Sequence, residues 1–174
     1  IHTTVFKQDS PKGNKQSIYE VFERINTGGV KLSAQEIRAC VSAGDLVDLL
    51  RELNDKQSWR EVYGAPSERL KDQELILRFL ALATEREAYK RPMRRFLNDF
   101  VDNRTKLSEQ KKNQYRELFV STIDLALSVI GRNVFRPERQ LNAAVFDAVM
   151  VGLATRLQTS SKTPDPSRIK QAYE

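Results

Sequence analysis

Apolar residues recur at three- and four-residue spacing over most of this chain, a period that admits few architectures besides packed helices. Ile18, Val21, Phe22 and Ile25 form one stripe, and Ile37, Cys40 and Val41 a second. Leu46, Leu49, Leu50 and Leu53 form a third, which Asp45 is placed to cap. Leu75, Ile76, Phe79, Leu80 and Ala83 read as the buried residues of a fourth helix beginning at Asp72. Met93, Phe96, Leu97 and Phe100 mark a fifth, opened by Pro92. Tyr115, Leu118, Phe119, Ile123, Ala126 and Val129 mark a long sixth, capped by Ser108 and closed by Gly131. Residues 142–157 are apolar on nearly every side, which predicts the central helix of the core, and residues 168–173 suit a short final helix. Residues 1–6 alternate and are β-branched, so they read as a strand, and one strand cannot complete a sheet. The expected fold is mainly α: a helical bundle of about seven helices with one N-terminal strand left over.

Several chemistries are excluded by what the chain lacks. Its 174 residues contain one cysteine, Cys40, and one histidine, His2. No disulfide can close within the chain, no zinc site can be built from imidazole and thiolate, and a Ser-His-Asp or Cys-His triad would have to use His2. Carboxylate-based two-metal chemistry stays open. Pro164 and Asp165 match the start of a restriction-nuclease carboxylate motif, but the acidic residue and lysine that complete it do not follow. No apolar run approaches the roughly 20 residues that cross a bilayer, so a cytoplasmic protein without membrane attachment is expected. Cys40 reads as a small core residue. Trp59 and Tyr63 read as anchors of a loop over residues 54–72. Asp147, inside the most apolar helix, needs a cationic partner such as Arg78 or Arg139.

The formal net charge of +6 favours phosphate-bearing partners. Two basic clusters are candidates for a DNA backbone: Lys90, Arg91, Arg94 and Arg95 within two helical turns, and Arg132, Arg136 and Arg139 in a loop. No helix-turn-helix or zinc-finger pattern accompanies them, so base readout is not expected.

In VFERINTGGVKLSAQEIRACV, residues 21–41, the segment NTGGVKL (26–32) links the first stripe to the second. Two readings of it are open. Gly28 or Gly29 can take positive φ and end a helix, Asn26 tolerates the same region, and Ser33 with Glu36 fits a capping box at the next helix start. Alternatively, paired glycines leave backbone N–H groups uncovered just before a helix N-terminus, a concavity that accepts phosphate oxygens. Arg24 would then add a bidentate cation, Asn26 would orient a phosphate or a metal-bound water, and Thr27 would supply a hydroxyl. The glycine spacing is neither that of a Walker A loop nor of a dinucleotide fingerprint.

The stretch IYEVFERINTGGVKLSAQEIRACV, residues 18–41, closely resembles the strongest motif of a large bacterial family, the GmrSD restriction endonuclease N-terminal domain, numbered 262 among domains of unknown function. KDQELILRFLALA (71–83), RPMRRFLNDFV (91–101) and LNAAVFDAVMVGLA (141–154) resemble its later pieces in the usual order. The resemblance implies a ParB-like α/β domain upstream, whose Asp-Gly-Gln-Gln-Arg signature binds or hydrolyses a nucleoside triphosphate with Mg2+. It also implies a role in restriction of modified DNA and anti-phage defence, often with an HNH nuclease domain or subunit. The match extends residue by residue to Arg24, Asn26, Thr27, Gly28, Gly29, Leu32 and Glu36, with Arg24 and Asn26 implied to face the nucleotide. No Asp-Gly-Gln-Gln-Arg occurs in these 174 residues. Residues 1–32 are therefore expected to end the ParB-like subdomain and residues 33–174 to form the helical subdomain, without catalysis by this portion alone. The alternative is a non-catalytic helical module for protein interaction or DNA docking.

Overall fold

Helices dominate the described residues, 15–25, 31–159 and 165–173 of a computed structural model. In chain order they are α1 (Gln16–Ile25), α2 (Ala34–Val41), α3 (Asp45–Asn54), α4 (Gln57–Tyr63), α5 (Lys71–Glu85), a 3-10 turn (Arg86–Ala88), α6 (Met93–Asp102), α7 (Glu109–Val129), α8 (Ala143–Thr159) and α9 (Pro166–Tyr173). No strand occurs among the described residues, and the strand expected over residues 1–6 lies outside them. The helical bundle is as the apolar periodicity predicts. Nine α-helices occur among the described residues, one of them, α4, formed by the stretch around Trp59 that was expected as a loop.

Several helix ends follow from their own sequences. Ser108 accepts from the Lys111 N–H at 3.2 Å and opens α7. Gly131 closes α7 with φ at 101°, a left-handed conformation that costs glycine little. Asp45 is not the cap of α3 but its first residue, after Gly44. Its carboxylate instead accepts from the Leu107 N–H at 2.7 Å and pairs with Lys112 at 3.1 Å, tying α3 to the start of α7. This approach requires Gly44, because a Cβ there would lie 2.3 Å from the Thr105 carbonyl oxygen. Gly44→Ala is expected to cost about 1–3 kcal/mol, as overpacking against backbone does, read from urea unfolding with the m-value unchanged.

The core is centred on Trp59, which is fully buried. Its ring meets Tyr63 at 5.2 Å, Phe119 at 5.8 Å and Phe146 at 5.7 Å, so α4 is locked between α7 and α8 by edge-on aromatic contacts. Phe135 meets Phe146 at 4.7 Å, closing the loop before α8 over the same cluster. Around it α5 lies against α3, α7 and α8.

Three expectations about burial are corrected. Cys40 is exposed, because α2 turns Gln35, Ile37 and Arg38 inward, and two residues beyond Arg38 lies the opposite side of a helix. Residues 142–157 do not make a helix buried on every side. Phe146, Met150, Leu153 and Ala154 of α8 are buried, whereas Ala148 and Gly152 face outward. Ala83, expected in the core of α5, is half-buried. Asp147 is paired with Arg78, as one of its two expected partners, through Nε to Oδ1 at 3.2 Å and a second bond from Nη2 to Oδ2, which joins α5 to α8.

Candidate functional site

The segment with the densest functional expectation joins α1 to α2. Arg24 lies exposed in the last turn of α1. Asn26, Thr27, Gly28 and Gly29 lie outside the described residues. At the start of α2 the expected capping box is present: Ser33 Oγ accepts from the Glu36 N–H at 3.2 Å, and Glu36 Oε2 accepts from the Ser33 N–H at 2.6 Å. Ser33 also donates to the Arg69 carbonyl at 2.9 Å, and Arg69 Nε stands 3.1 Å from Glu36. Desolvation pushes the Glu36 carboxyl up, but the Ser33 hydrogen bonds and Arg69 outweigh it and hold the group below the usual carboxylate range. The positive end of α2 is thus already met by a carboxylate of the chain, which argues against that helix end as the phosphate cradle. Sequence reasoning missed Arg69. It comes from the 64–70 loop, and its approach depends on Leu70, a non-glycine residue at φ 53° held by the Ser67 carbonyl at 3.0 Å.

Both flanking helices are mounted on α6 by buried polar side chains. Arg38, 1% exposed, donates from Nε to Asn98 Oδ1 at 2.8 Å and from Nη1 to Glu74 Oε2 at 2.9 Å and Gln35 Oε1 at 3.2 Å. Burial, foremost, lowers its pKa, and the Glu74 carboxylate opposes that shift. On α1, the Tyr19 hydroxyl bonds with Ser42 Oγ at 2.8 Å and donates to Asp102 Oδ1 at 2.9 Å. Lys15 donates to the Val41 carbonyl at 3.1 Å and to Ser42 Oγ at 3.2 Å. Burial, foremost, raises the Tyr19 phenol above its usual range against the opposing Ser42 bond, with Asp102 adding to the rise. The Gln35 amide nitrogen is buried without a hydrogen-bond partner among the described residues, near the start of α2.

The pKa directions set opposite limits on the stable pH range. Glu36 is held low as above, Asp45 by the Leu107 N–H and then Lys112, and Glu52 by its bonds to Arg116 against desolvation. Depressed carboxyls contribute stability that is present above their unfolded pKa and lost as pH falls through the folded one. The raised Tyr19 phenol contributes stability that is present below its unfolded pKa and lost as pH rises through the folded one. Tm is therefore expected to be flat near neutrality, to fall on acidification through and below the ordinary carboxylate range, and to fall again above the ordinary tyrosine range. Tyr19→Phe removes this tyrosine's contribution to the alkaline fall, which melting across pH checks.

The two basic clusters have different fates. Arg94, on the first cluster, pairs with Glu23 of α1, the residue beside Arg24. The structure thereby brings together two features far apart in sequence, the cationic end of α1 and the cationic start of α6. Arg95 lies 4.0 Å from Asp99, and Lys90 and Arg91 are exposed without an ion pair among the described residues. In the second cluster Arg132 lies 3.2 Å from Glu61 and Arg139 is exposed. Arg136 donates to the Val62 carbonyl and, at 2.7 Å, to the Tyr63 carbonyl, capping the C-terminus of α4. That role ties Arg136 to the fold.

Among the described residues no group of three or more His, Cys, Asp or Glu side chains is placed to hold a metal, so they offer no cage for the Mg2+ that the sequence resemblance implies. None of the described helices is long and apolar enough to cross a membrane. No protein-family model, curated protein or solved structure matches this chain.

Proposed function

We propose that this chain is the helical portion of a ParB-like, nucleotide-dependent protein of the restriction and anti-phage defence type, working beside an upstream α/β domain and on DNA. In this reading Arg24 and Asn26 complete a triphosphate site built mainly by the upstream domain, and Lys90, Arg91, Arg94 and Arg95 lie along a DNA backbone. The observation that carries it is the Glu23–Arg94 contact, which sets the α1 residue next to Arg24 against the basic start of α6. Exposed ion pairs are worth about 0–1 kcal/mol, so Arg94 and Arg95 exchange a carboxylate for a phosphate at little cost. Arg132 and Arg139 are a second, separate place for DNA; Arg136 is not, being spent on α4. Four phosphate contacts by the first cluster give a log-log salt slope of about −3 to −4, which Lys90→Ala with Arg91→Ala reduces by about 2. Nuclease activity is assigned to an HNH domain or subunit elsewhere. The test is hydrolysis of nucleoside triphosphate by the protein carrying the upstream domain, Asn26→Ala against wild type: lost turnover by a folded variant supports the reading, and full turnover overturns it.

A DNA-docking or interaction module without a nucleotide is the second reading, favoured by Glu36, whose carboxylate already neutralises the start of α2.

A further inference from the structure

Among the described residues no helix packs on the outer face of α8 along its middle, although that face is apolar. Ala148 and Gly152 are exposed, and Val145 and Val149 are half-buried beside them. Across a hollow of about 860 Å³ stand Ile169, Ala172 and Tyr173 of α9. The Tyr173 hydroxyl donates to the Val134 carbonyl at 2.8 Å and fixes the far end of α9 to the loop before α8. A second hollow of about 470 Å³ shares Ile130, Val145 and Tyr173 with the first and continues to Asn133 and Arg136. Together they make one open groove along α8. Between Val145 and Arg156 that helix rises about 16 Å, or three turns.

The groove is the wrong shape to enclose a small molecule and suits a helix laid lengthwise. Its floor is low at the middle, where a Cβ on Gly152 would meet nothing within 4 Å. One end is cationic, with the exposed Arg156 and Arg168 side by side in the lining. The carboxylate among the lining residues, Asp165, is engaged at the start of α9, where it accepts from the Ser167 N–H at 2.9 Å and lies 4.0 Å from Arg168. A second copy of this chain would set a net-positive rim against itself. The complement is an element apolar on one face and negative at its edges.

We infer that the α8–α9 groove binds an amphipathic helix of a partner protein, about three turns long, with apolar residues at i, i+3 or i+4 and i+7 and carboxylates flanking them. The test measures anisotropy of two labelled synthetic helical peptides against the whole chain. One has a Leu/Ala face flanked by glutamates, and the other has lysines in place of the glutamates. The glutamate peptide is expected to bind at least about tenfold tighter, a difference of about 1.4 kcal/mol. Gly152→Phe, which fills the floor from an open position, should weaken it about tenfold or more at an unchanged melting temperature, while Gly152→Ala should leave it alone. Arg156→Glu combined with Arg168→Glu should reverse the preference between peptides. Equal or absent binding of the two peptides overturns the inference, as does binding indifferent to Gly152→Phe. Self-association of the chain that Gly152→Phe abolishes also overturns it, in favour of a second copy as occupant.

Discussion

Asp72→Ala is expected to destabilise the fold by about 3–5 kcal/mol, the usual cost of leaving a buried charge without its partner. At roughly 2–4 °C per kcal/mol for a chain of this size, the melting temperature should fall by many degrees. Asp72 is fully buried. Its Oδ2 accepts from Asn54 Nδ2 at 3.0 Å, Arg60 Nη1 at 3.1 Å and the Ser67 N–H at 3.0 Å. Asn54 in turn accepts from Trp59 Nε1 at 3.0 Å, so the hub of the core is oriented by the same network. Arg60 lies over the rings of Trp59 and Tyr63 and has no other carboxylate within reach among the described residues. Removing Asp72 strands that cation and frees the 64–70 loop that carries Arg69. Asp72→Asn keeps the shape and loses the charge, and should fall between wild type and Asp72→Ala in chemical unfolding. A loss below about 1 kcal/mol for Asp72→Ala would be the value of an exposed pair and would contradict the account.

Arg38→Ala is expected to cost a similar amount, about 3–5 kcal/mol, for a different reason. It leaves Asn98, Gln35 and Glu74 without their shared donor inside the α2–α5–α6 junction. Arg38→Met, which keeps most of the volume, should cost less when Glu74→Leu removes the stranded carboxylate as well. A double-mutant cycle in urea reads this as a positive coupling between the two positions. Because Arg38 holds α2 to α6, its loss should also loosen the arrangement of α1 against the basic start of α6. Hydrogen exchange in α2 should quicken before that in α7.

Local features of this fold were legible in the sequence, and most long-range ones were not. The Ser33–Glu36 capping box was readable because its two bonds close within four residues. Asp147 announced a partner because a carboxylate in an apolar helix must be compensated, and Arg78 was reachable as the cation in another apolar helix. The role of Trp59 was underestimated, since its ring partners Phe119 and Phe146 lie far along the chain. The inward face of α2 was read correctly at Ile37 but misread at Cys40, because the other two buried side chains are Gln35 and Arg38, which follow no hydrophobic period and leave Cys40 exposed. In the candidate site, Arg24 and the cluster at 90–95 were each visible as cations, but their adjacency through Glu23 and Arg94 depends on packing. Arg69 carried no signal at all, because what brings it to Ser33 is the backbone turn at Leu70.

The most direct measurement compares Arg24→Ala with Ser33→Ala in a protein that carries the proposed upstream domain, reading triphosphate turnover per folded molecule beside melting temperature. The account predicts that Arg24→Ala melts as wild type does and loses turnover. It predicts that Ser33→Ala loses about 1 kcal/mol of stability, as a removed N-cap does, and keeps turnover. Normal turnover with Arg24→Ala, or a stability loss from it as large as that from Ser33→Ala, would mean that residues 24–36 serve as a capped turn and not as part of a nucleotide site.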